Sequence, residues 1–172
     1  MAINQLEQWL GEHAQTDLPP VESWHPTHCG TMDMVIRRDG SWWHEGSEIR
    51  KKSLVRLFSR ILRLDGDQYV LVTPAEKVQI QVEDTPFLAV LGEYDGDVLS
   101  IMTQTGDMVE VSEQHPMTLT PLDGDLLPVV EIRRGLQARI SRNLYYQLAD
   151  RATESPDGHY LIQSHGKAWP LA

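Results

Sequence analysis

Apolar positions along the chain follow two different spacings, and each spacing predicts a different kind of element. One segment has apolar residues at i, i+3, i+4 and i+7, the stripe of an amphipathic helix, at Leu54, Leu57, Phe58 and Ile61. We predict that this helix begins near Lys52 and stops at Asp65. Residues 77–83 alternate between apolar and polar side chains, which predicts a strand with one face in water. A weaker helical stripe over residues 3–13 predicts an N-terminal helix.

The same order of elements is predicted twice. The first set is strand, strand, helix, strand, strand, at Met32–Arg38, Ser41–His44, 52–64, Gln68–Thr73 and Lys77–Glu83. The second set has the same order, at Val129–Arg133, Leu136–Ile140, Asn143–Ala152, Tyr160–Gln163 and Lys167–Leu171. The tripeptide Ile36-Arg37-Arg38 of the first set recurs as Ile132-Arg133-Arg134 in the second. We therefore predict an α+β fold made by tandem duplication of a ββαββ unit.

The segment between the two sets, residues 84–127, is predicted to be rich in β-structure. Its candidate strands are Phe87–Leu91, Val98–Thr103 and Met108–Val111. Prolines keep such strands short or place them at sheet edges. With the boundary set before this segment, the chain divides into two domains, residues 1–84 and 85–172. Chance similarity between two short α+β units is the alternative to a duplication.

The composition excludes several classes of protein. The 172 residues are 41% hydrophobic. No run of about 18 apolar residues, the length of a membrane span, occurs among them. The single cysteine rules out an internal disulfide framework and favours a reducing cytoplasm. The net charge of −10 argues against binding to nucleic acid or to a membrane surface.

The charges are nevertheless segregated along the chain. Eight of the fifteen Lys and Arg residues fall in one segment, at Arg37, Arg38, Arg50, Lys51, Lys52, Arg56, Arg60 and Arg63. Between Lys77 and Arg133 there is no Lys or Arg, and eleven acidic residues lie in that interval. The last four cations of the segment are predicted to share one face of the helix.

The start of this predicted helix is the most basic point of the chain. A helix dipole disfavours cations there by roughly a few tenths of a kcal/mol each. Free backbone amides together with cations are, however, typical of an anion-binding site. Arg50 and Lys52 are therefore candidate ligands of an anion, and Arg142 occupies the matching start of the second helix. The alternative is a solvated basic face balanced by the acidic middle segment.

The segment WHPTHCG, residues 24–30, holds two histidines and the only cysteine. A structural zinc site needs about four ligands, and at most three are present here. A cysteine nucleophile needs an adjacent base, and sequence neighbours rarely have that geometry. We interpret the segment as a packed loop with Trp24 buried and Cys29 entering the first strand. No metal or cofactor is expected, since the glycine-rich nucleotide loops and hydrolase motifs are also missing.

Several segments resemble the bacterial domain-of-unknown-function family 1285. They are WHPTHCG, DMVIRRDGSWWHEGSEIRKKSLVRLFSRILR, VTPAEKVQIQVEDTPF and, more weakly, EQHPM and LIQSHGKAWPL. The resemblance implies two related α+β domains, the second similar to a pleckstrin-homology fold. It also implies a pocket between domains for a nucleotide-like ligand in signalling. It supplies no catalytic residues.

We expect the protein to bind or sense a small anionic, nucleotide-like ligand, held between its two units, in signalling. The candidate ligand-binding residues are Arg50, Lys52, Thr73, Glu76, Lys77, His115 and Arg142. Thr73, Glu76 and Lys77 lie in the best-matching motif, and a lone lysine can meet a phosphate as a point charge. Two alternatives stay open. One is an enzyme that uses Cys29 or His115, and the other is an adaptor that binds a partner protein through the basic helix face.

Overall fold

The computed structural model describes residues 3–13 and 17–172, and it divides into two compact units. Unit 1 is Met1–Glu83 and unit 2 is Asp84–Ala172. Both units combine antiparallel-rich sheets with a few short helices, so each has an α+β fold.

Unit 1 is built on one six-stranded sheet. Its helices are α1 (Ile3–Glu12), a single 3₁₀ turn (Val21–Ser23) and α2 (Lys52–Arg60). Its strands are β1 (His28–Ile36), β2 (Trp42–His44), β3 (Ser47–Glu48), β4 (Leu62–Asp65), β5 (Gln68–Val72) and β6 (Glu76–Val82). The strands lie side by side in the order β3-β2-β1-β6-β5-β4. All neighbours are antiparallel except β1 and β6, which run parallel.

Unit 2 contains a six-stranded sheet, one helix and a small second sheet. The first sheet has β7 (Phe87–Asp95), β8 (Val98–Thr103), β9 (Met108–Glu110), β10 (Met117–Leu122), β11 (Asp125–Arg133) and β12 (Leu136–Ile140). Its order is β10-β11-β12-β7-β8-β9, and only β12 and β7 are parallel. Helix α3 (Arg142–Ala149) follows. The second sheet then has β13 (Thr153–Glu154), β14 (Tyr160–Ser164) and β15 (Lys167–Pro170).

The two six-stranded sheets have the same topology. Each consists of two three-stranded antiparallel meanders, joined by a parallel pairing between the first strand of the first meander and the last strand of the second. The repeat therefore runs over residues 28–82 and 87–140. Our predicted alignment of residues 32–83 with 129–171 is wrong, because the strands after α3 form a separate sheet instead of completing the large one. The predicted middle segment is the first half of the second sheet.

Alternating side chains supply the core of each unit. In β6, Val78 and Ile80 are buried while Gln79 is half-exposed, as the period of two requires. Helix α2 buries Phe58 with its ring centroid 6.2 Å from that of Trp42 on β2. Burial of a side chain of this size contributes about 1.5–3 kcal/mol.

In unit 2, helix α3 packs on β7 at a glycine. A Cβ atom built at Gly92 would lie 2.7 Å from the Cδ1 atom of Leu144, a buried residue of α3. The missing side chain therefore lets the helix approach the sheet closely. Leu148, one turn further along α3, is also buried, so the helix covers the sheet with one apolar stripe.

Three local predictions are corrected by the structure. Helix α2 ends at Arg60, and Arg63 lies on β4, so it does not belong to the basic face of the helix. Residues Met117–Leu122, which contain Pro121, form an edge strand that was not predicted. In the WHPTHCG segment, Trp24 is only half-buried and Cys29 is exposed, so the segment is less packed than predicted, although Cys29 does lie in the first strand.

Candidate functional site

The start of α2 in unit 1 has free hydrogen-bond donors and a concentration of cations. Its N-cap residue, Lys51, has extended backbone and no capping side chain, and the first turn contains no acidic residue. The N–H groups of Leu54 and Val55 donate to the carbonyl oxygen of Lys51 at 3.1 and 3.2 Å. Within the described residues, the N–H groups of Lys52 and Ser53 have no acceptor. Both point out of the helix start, as first-turn amides do.

The cations at this helix start are solvated and only loosely paired. The Arg50 side chain is 88% exposed, with its Nε atom 3.6 Å from Glu48. The Nζ atom of Lys51 is 3.9 Å from Glu7, and that lysine is 69% exposed. Lys52 is exposed as well. Exposed pairs at such distances contribute about 0–1 kcal/mol, so an incoming anion can replace their carboxylates.

The start of α3 differs, although Arg142 gives it a cation. The Ser141 hydroxyl oxygen accepts a hydrogen bond from the Leu144 N–H group at 3.3 Å, which caps the helix from within the chain. In the shared topology α2 connects the two meanders, whereas α3 follows the sixth strand. The two helices are therefore not equivalent, and the predicted correspondence between Lys52 and Arg142 is wrong.

Thr73, Glu76 and Lys77 lie together at the turn between β5 and β6. The buried Thr73 hydroxyl accepts from the Glu76 N–H group at 3.2 Å. Glu76 is 3.5 Å from the Nε2 atom of His28. The Lys77 Nζ atom donates to Asp65 at 3.0 Å. Because the Val72 N–H group bonds to the carbonyl of Ile61, this turn lies near the far end of α2. A nine-residue helix is about 13 Å long, which separates the turn from Lys52.

Asp65 is the centre of an ion cluster in unit 1. Arg63 donates to its carboxylate from two nitrogens, at 2.7 and 3.0 Å, and also to the carbonyls of Val21 and Trp24. The hydrogen bond from Arg63 lowers the pKa of Asp65 most. Burial raises that pKa and Lys77 lowers it again, so it lies below its ordinary value. The cluster fastens the 3₁₀ turn to β4, and Lys77 takes part in it.

His115 lies in a groove of about 770 Å³ within unit 2. The groove is bounded by β9, by the loop after it, and by the turn between β14 and β15. Its lining residues are Met108, Val109, Glu110, Ser112, Glu113, Gln114, His115, His165, Gly166, Lys167 and Trp169. The His115 Nδ1 atom is 3.0 Å from the carbonyl oxygen of Glu131, which leaves Nε2 as the ring atom free of that contact.

The buried residue Ser164 holds the β14–β15 turn beside the groove. Its hydroxyl accepts from the Leu99 N–H group at 2.9 Å and donates to the Val111 carbonyl at 2.7 Å. The hydroxyl thus stands where a direct bond between β8 and the end of β9 would otherwise form. The His165 N–H group then donates to the Asp97 carbonyl at 3.1 Å. The sequence predicted only a hairpin turn at these residues.

Both signs of charge line the groove. His165 and Glu110 are 2.6 Å apart, and Lys167 is 3.5 Å from Glu113. All four side chains are at least 43% exposed, so these pairs are weak and exchangeable. With no Lys or Arg between Lys77 and Arg133, acids dominate the strands that flank the groove.

Candidate metal ligands and the two residues named for the enzyme alternative, Cys29 and His115, were located in the structure. Among residues 3–13 and 17–172, no cluster of His, Cys, Asp or Glu side chains is placed to hold a metal ion. Cys29 lies in unit 1 and His115 in unit 2, and the nearest charged partner of His28 is Glu76. Over the same residues, no helix is both long and apolar enough to cross a membrane.

A two-unit α+β protein of this topology matches known family models over most of its length. Residues 19–85 match "Domain of unknown function (DUF1285), N-terminal domain", and residues 86–171 match "Protein of unknown function (DUF1285), C-terminal domain". The chain belongs to the DUF1285 family, as the resemblance in its sequence predicted. No match was found among the curated proteins.

Two crystal structures of the same family are similar to this chain. A DUF1285 family protein from Silicibacter pomeroyi DSS-3 is 38% identical, with a TM-score of 0.87 over 96% of this chain and 93% of that one. A DUF1285 family protein from Shewanella baltica OS155 is 28% identical, with a TM-score of 0.56 over 69% of this chain and 91% of that one.

Proposed function

We propose that this protein binds a small anionic ligand, and that unit 1 holds the anion at the start of α2. The observation that carries the proposal is the combination of two unpaired amides, no capping side chain and three consecutive exposed cations, Arg50, Lys51 and Lys52. Such cations destabilise the free helix through its dipole, so an anion between them and the amides relieves an existing strain.

The chemistry of the site favours a phosphate group. The amides of Lys52 and Ser53 are directed donors, the Ser53 hydroxyl is an exposed third donor, and the cations supply charge. An arginine presents a planar fork to phosphate oxygens, whereas a lysine acts as a point charge. A nucleotide meets these requirements, in keeping with the ligand class that the family resemblance implied. A sensing role in signalling is part of the same proposal.

The proposed site narrows the set of residues predicted from the sequence. Arg50 and Lys52 are its ligands, whereas Thr73, Glu76 and Lys77 belong to the turn at the opposite end of α2. The proposal does not use His115 and Arg142, which lie in unit 2, and as ligand contacts they stay predictions. The similarity of unit 2 to a pleckstrin-homology fold stays a prediction.

A thermal-shift experiment with a panel of mononucleotides and inorganic phosphate tests the proposal. A ligand at a hundred times its dissociation constant stabilises the folded protein by about 2.7 kcal/mol. The double variant R50E/K52E is expected to lose this stabilisation. Its own unfolding free energy stays within about 1 kcal/mol of the wild type, because both side chains are exposed.

The matched control is R142E at the start of α3. That helix is capped by Ser141, so the same charge reversal there leaves phosphate binding unchanged. Equal loss of binding in R142E and in R50E/K52E would show that overall charge, and not the start of α2, governs the affinity. Undiminished binding in R50E/K52E would reject the site.

A further inference from the structure

The edges of the two six-stranded sheets are protected to different degrees, and β9 is the least protected. Strand β3 has two residues. Strand β4 packs against the 3₁₀ turn, and β10 contains Pro121 and packs against β15. Short length, proline and a covering element are the usual means of blocking an edge. Strand β9 has the sequence Met-Val-Glu, with no proline or lysine, and opens into the groove of unit 2.

The free hydrogen-bonding groups of β9 can be assigned from its pairing with β8. The Val111 N–H group donates to the Leu99 carbonyl, and the Thr103 N–H group donates to the Asp107 carbonyl. In an antiparallel pair bonded residues alternate, so Val109 is also turned toward β8. The backbone groups of Met108 and Glu110 therefore point away from the sheet. The Glu110 carbonyl accepts from Ser112, and within the described residues the Met108 N–H and carbonyl and the Glu110 N–H have no acceptor or donor.

The side chains around this edge determine what kind of segment could bind to β9. On the solvent face of the sheet, Glu93, Ser100 and Glu110 stand in one cross-strand row. The neighbouring row holds Leu91, Met102 and Met108, of which Met108 is 66% exposed and Leu91 56%. Glu113 lines the groove, and Asp95 and Asp97 are exposed at the β7–β8 turn beside it. An apolar row bordered by carboxylates complements a strand that carries an aliphatic and a basic side chain two residues apart on the same face.

We infer that β9 and its groove bind an extended, lysine- or arginine-containing segment of a partner protein, which adds to the sheet as a further strand. The partner backbone would bond to the free groups of Met108 and Glu110, as in other cases of strand addition. Its basic side chains would displace His165 and Lys167 and pair with the carboxylates of Glu110 and Glu113. This inference concerns unit 2 and does not depend on the anion site proposed for unit 1.

A direct test uses a fluorescent peptide of about six residues, the length of a typical strand, in which lysine and valine alternate on one face and threonine fills the other, as in Lys-Thr-Val-Thr-Lys-Thr. Fluorescence anisotropy with the full-length protein is expected to show saturable binding that weakens as salt is added. Two altered peptides serve as controls. One carries glutamate in place of lysine, and the other is N-methylated at alternate residues, which removes its strand hydrogen bonds. Neither is expected to bind.

The variant M108P separates strand addition from simple charge attraction. Proline removes the outward N–H donor, while the pairing of Val109 with β8 remains. M108P is expected to weaken peptide binding about tenfold or more, a loss of about 1.4 kcal/mol, beyond any effect of M108A. E110Q/E113Q is expected to weaken it as well. D125N, which removes an exposed charge at the opposite side of the same sheet, is not.

Several results would overturn the inference. If the N-methylated peptide binds as tightly as the original, strand addition is not how the peptide binds. If the glutamate peptide does, attraction between charges is not involved. A wild-type dimer that M108P converts to monomer, with no peptide binding, would mean that a second copy of the chain occupies β9. If M108P does not fold, the N-methylated peptide and E110Q/E113Q still decide between these outcomes.

Discussion

Units 1 and 2 share one strand topology but place their helices and charges differently. In unit 1 a helix joins the two meanders, and its uncapped start carries exposed cations. In unit 2 a short loop joins them, and a groove lined by both signs of charge opens at that point. The connection between the meanders is thus the variable part of the repeat. The sheet fixes the fold, and the connection sets the surface chemistry of each unit.

The largest expected loss of stability comes from breaking the ion pair made by the cation on the sixth strand of each sheet. In unit 2, Arg139 donates to Asp84 from two nitrogens at 2.9 Å, and the two side chains are 6% and 9% exposed. D84A leaves a buried charge unpaired and is expected to lower the free energy of unfolding by about 3–5 kcal/mol. In unit 1 the equivalent strand carries Lys77, and its partner Asp65 is 30% exposed.

K77A is the matched variant for that comparison, because D65A would also remove the carboxylate that Arg63 binds. Asp65 is 30% exposed and keeps its bonds from Arg63, so we expect K77A to cost about 0–1 kcal/mol. Urea unfolding of both variants measures the difference. Equal losses would mean that burial does not distinguish the two ion pairs.

The second expected loss of stability concerns Ser164, which holds the β14–β15 turn of unit 2. S164A removes the hydroxyl between Leu99 and Val111, leaving two buried backbone groups without partners. A loss of about 1–3 kcal/mol in chemical denaturation is expected. S47A, at an exposed serine of β3, is the control and should be neutral. A neutral S164A would indicate that β8 and β9 close up and bond directly.

The two helix starts provide a third, smaller comparison. S141A removes the cap of α3 and is expected to cost about 0.5–2 kcal/mol. K51S installs a capping hydroxyl at α2 and removes a cation from its start. We expect it to raise the thermal midpoint, because both changes favour the helix. It should also weaken phosphate binding, since the new hydroxyl competes for the free amides. Destabilisation by K51S would mean that the pair of Lys51 with Glu7 matters more than the cap.

The smallest effect is a pH dependence in unit 2. Burial opposes ionisation of Asp107, but Arg133 and the hydrogen bonds from Thr105, Arg133 and Thr103 outweigh it and hold the pKa of Asp107 below its usual value. Because the pKa is lower in the folded than in the unfolded state, ionised Asp107 stabilises the fold at pH values above the unfolded pKa of about 3.9. This stabilisation is lost as the pH falls through the folded pKa. The stability difference between wild type and D107N should therefore be constant above about pH 5 and shrink as the pH falls below about 4.

The elements were easier to predict from the sequence than their pairing. Val98–Thr103 and Leu136–Ile140 were predicted with the observed bounds, because their alternation is a local property. The end of α2 was missed because Leu62 and Leu64 fit both a helical stripe and an alternating strand, and only pairing with β5 selects the strand. The repeat was misaligned for the same reason. Strand partners are far apart along the chain, and no local spacing encodes them.

The candidate site, too, could be predicted only where it depends on residues that are adjacent in the sequence. The exposed cations at the start of α2 were predictable, since a helix start and its charges can be read from adjacent residues. Lys77 was predicted as a ligand contact because it is the sole cation between Arg63 and Arg133, but its partner Asp65 becomes apparent only when β4 and β6 are placed. The position of Ser164 between two strands depends on three distant segments, and nothing in the local sequence indicates it.

Amide chemical-shift mapping by NMR tests the contrast between the units most directly. The ¹⁵N-labelled protein is titrated first with inorganic phosphate and then with the peptide that carries lysine and valine on one face. We predict that phosphate shifts the amides of Lys52 and Ser53, and that the peptide shifts those of Met108 and Glu110. Phosphate shifts centred on His115 and Lys167, or peptide shifts centred on α2, would contradict the assignment of opposite ligands to the two units.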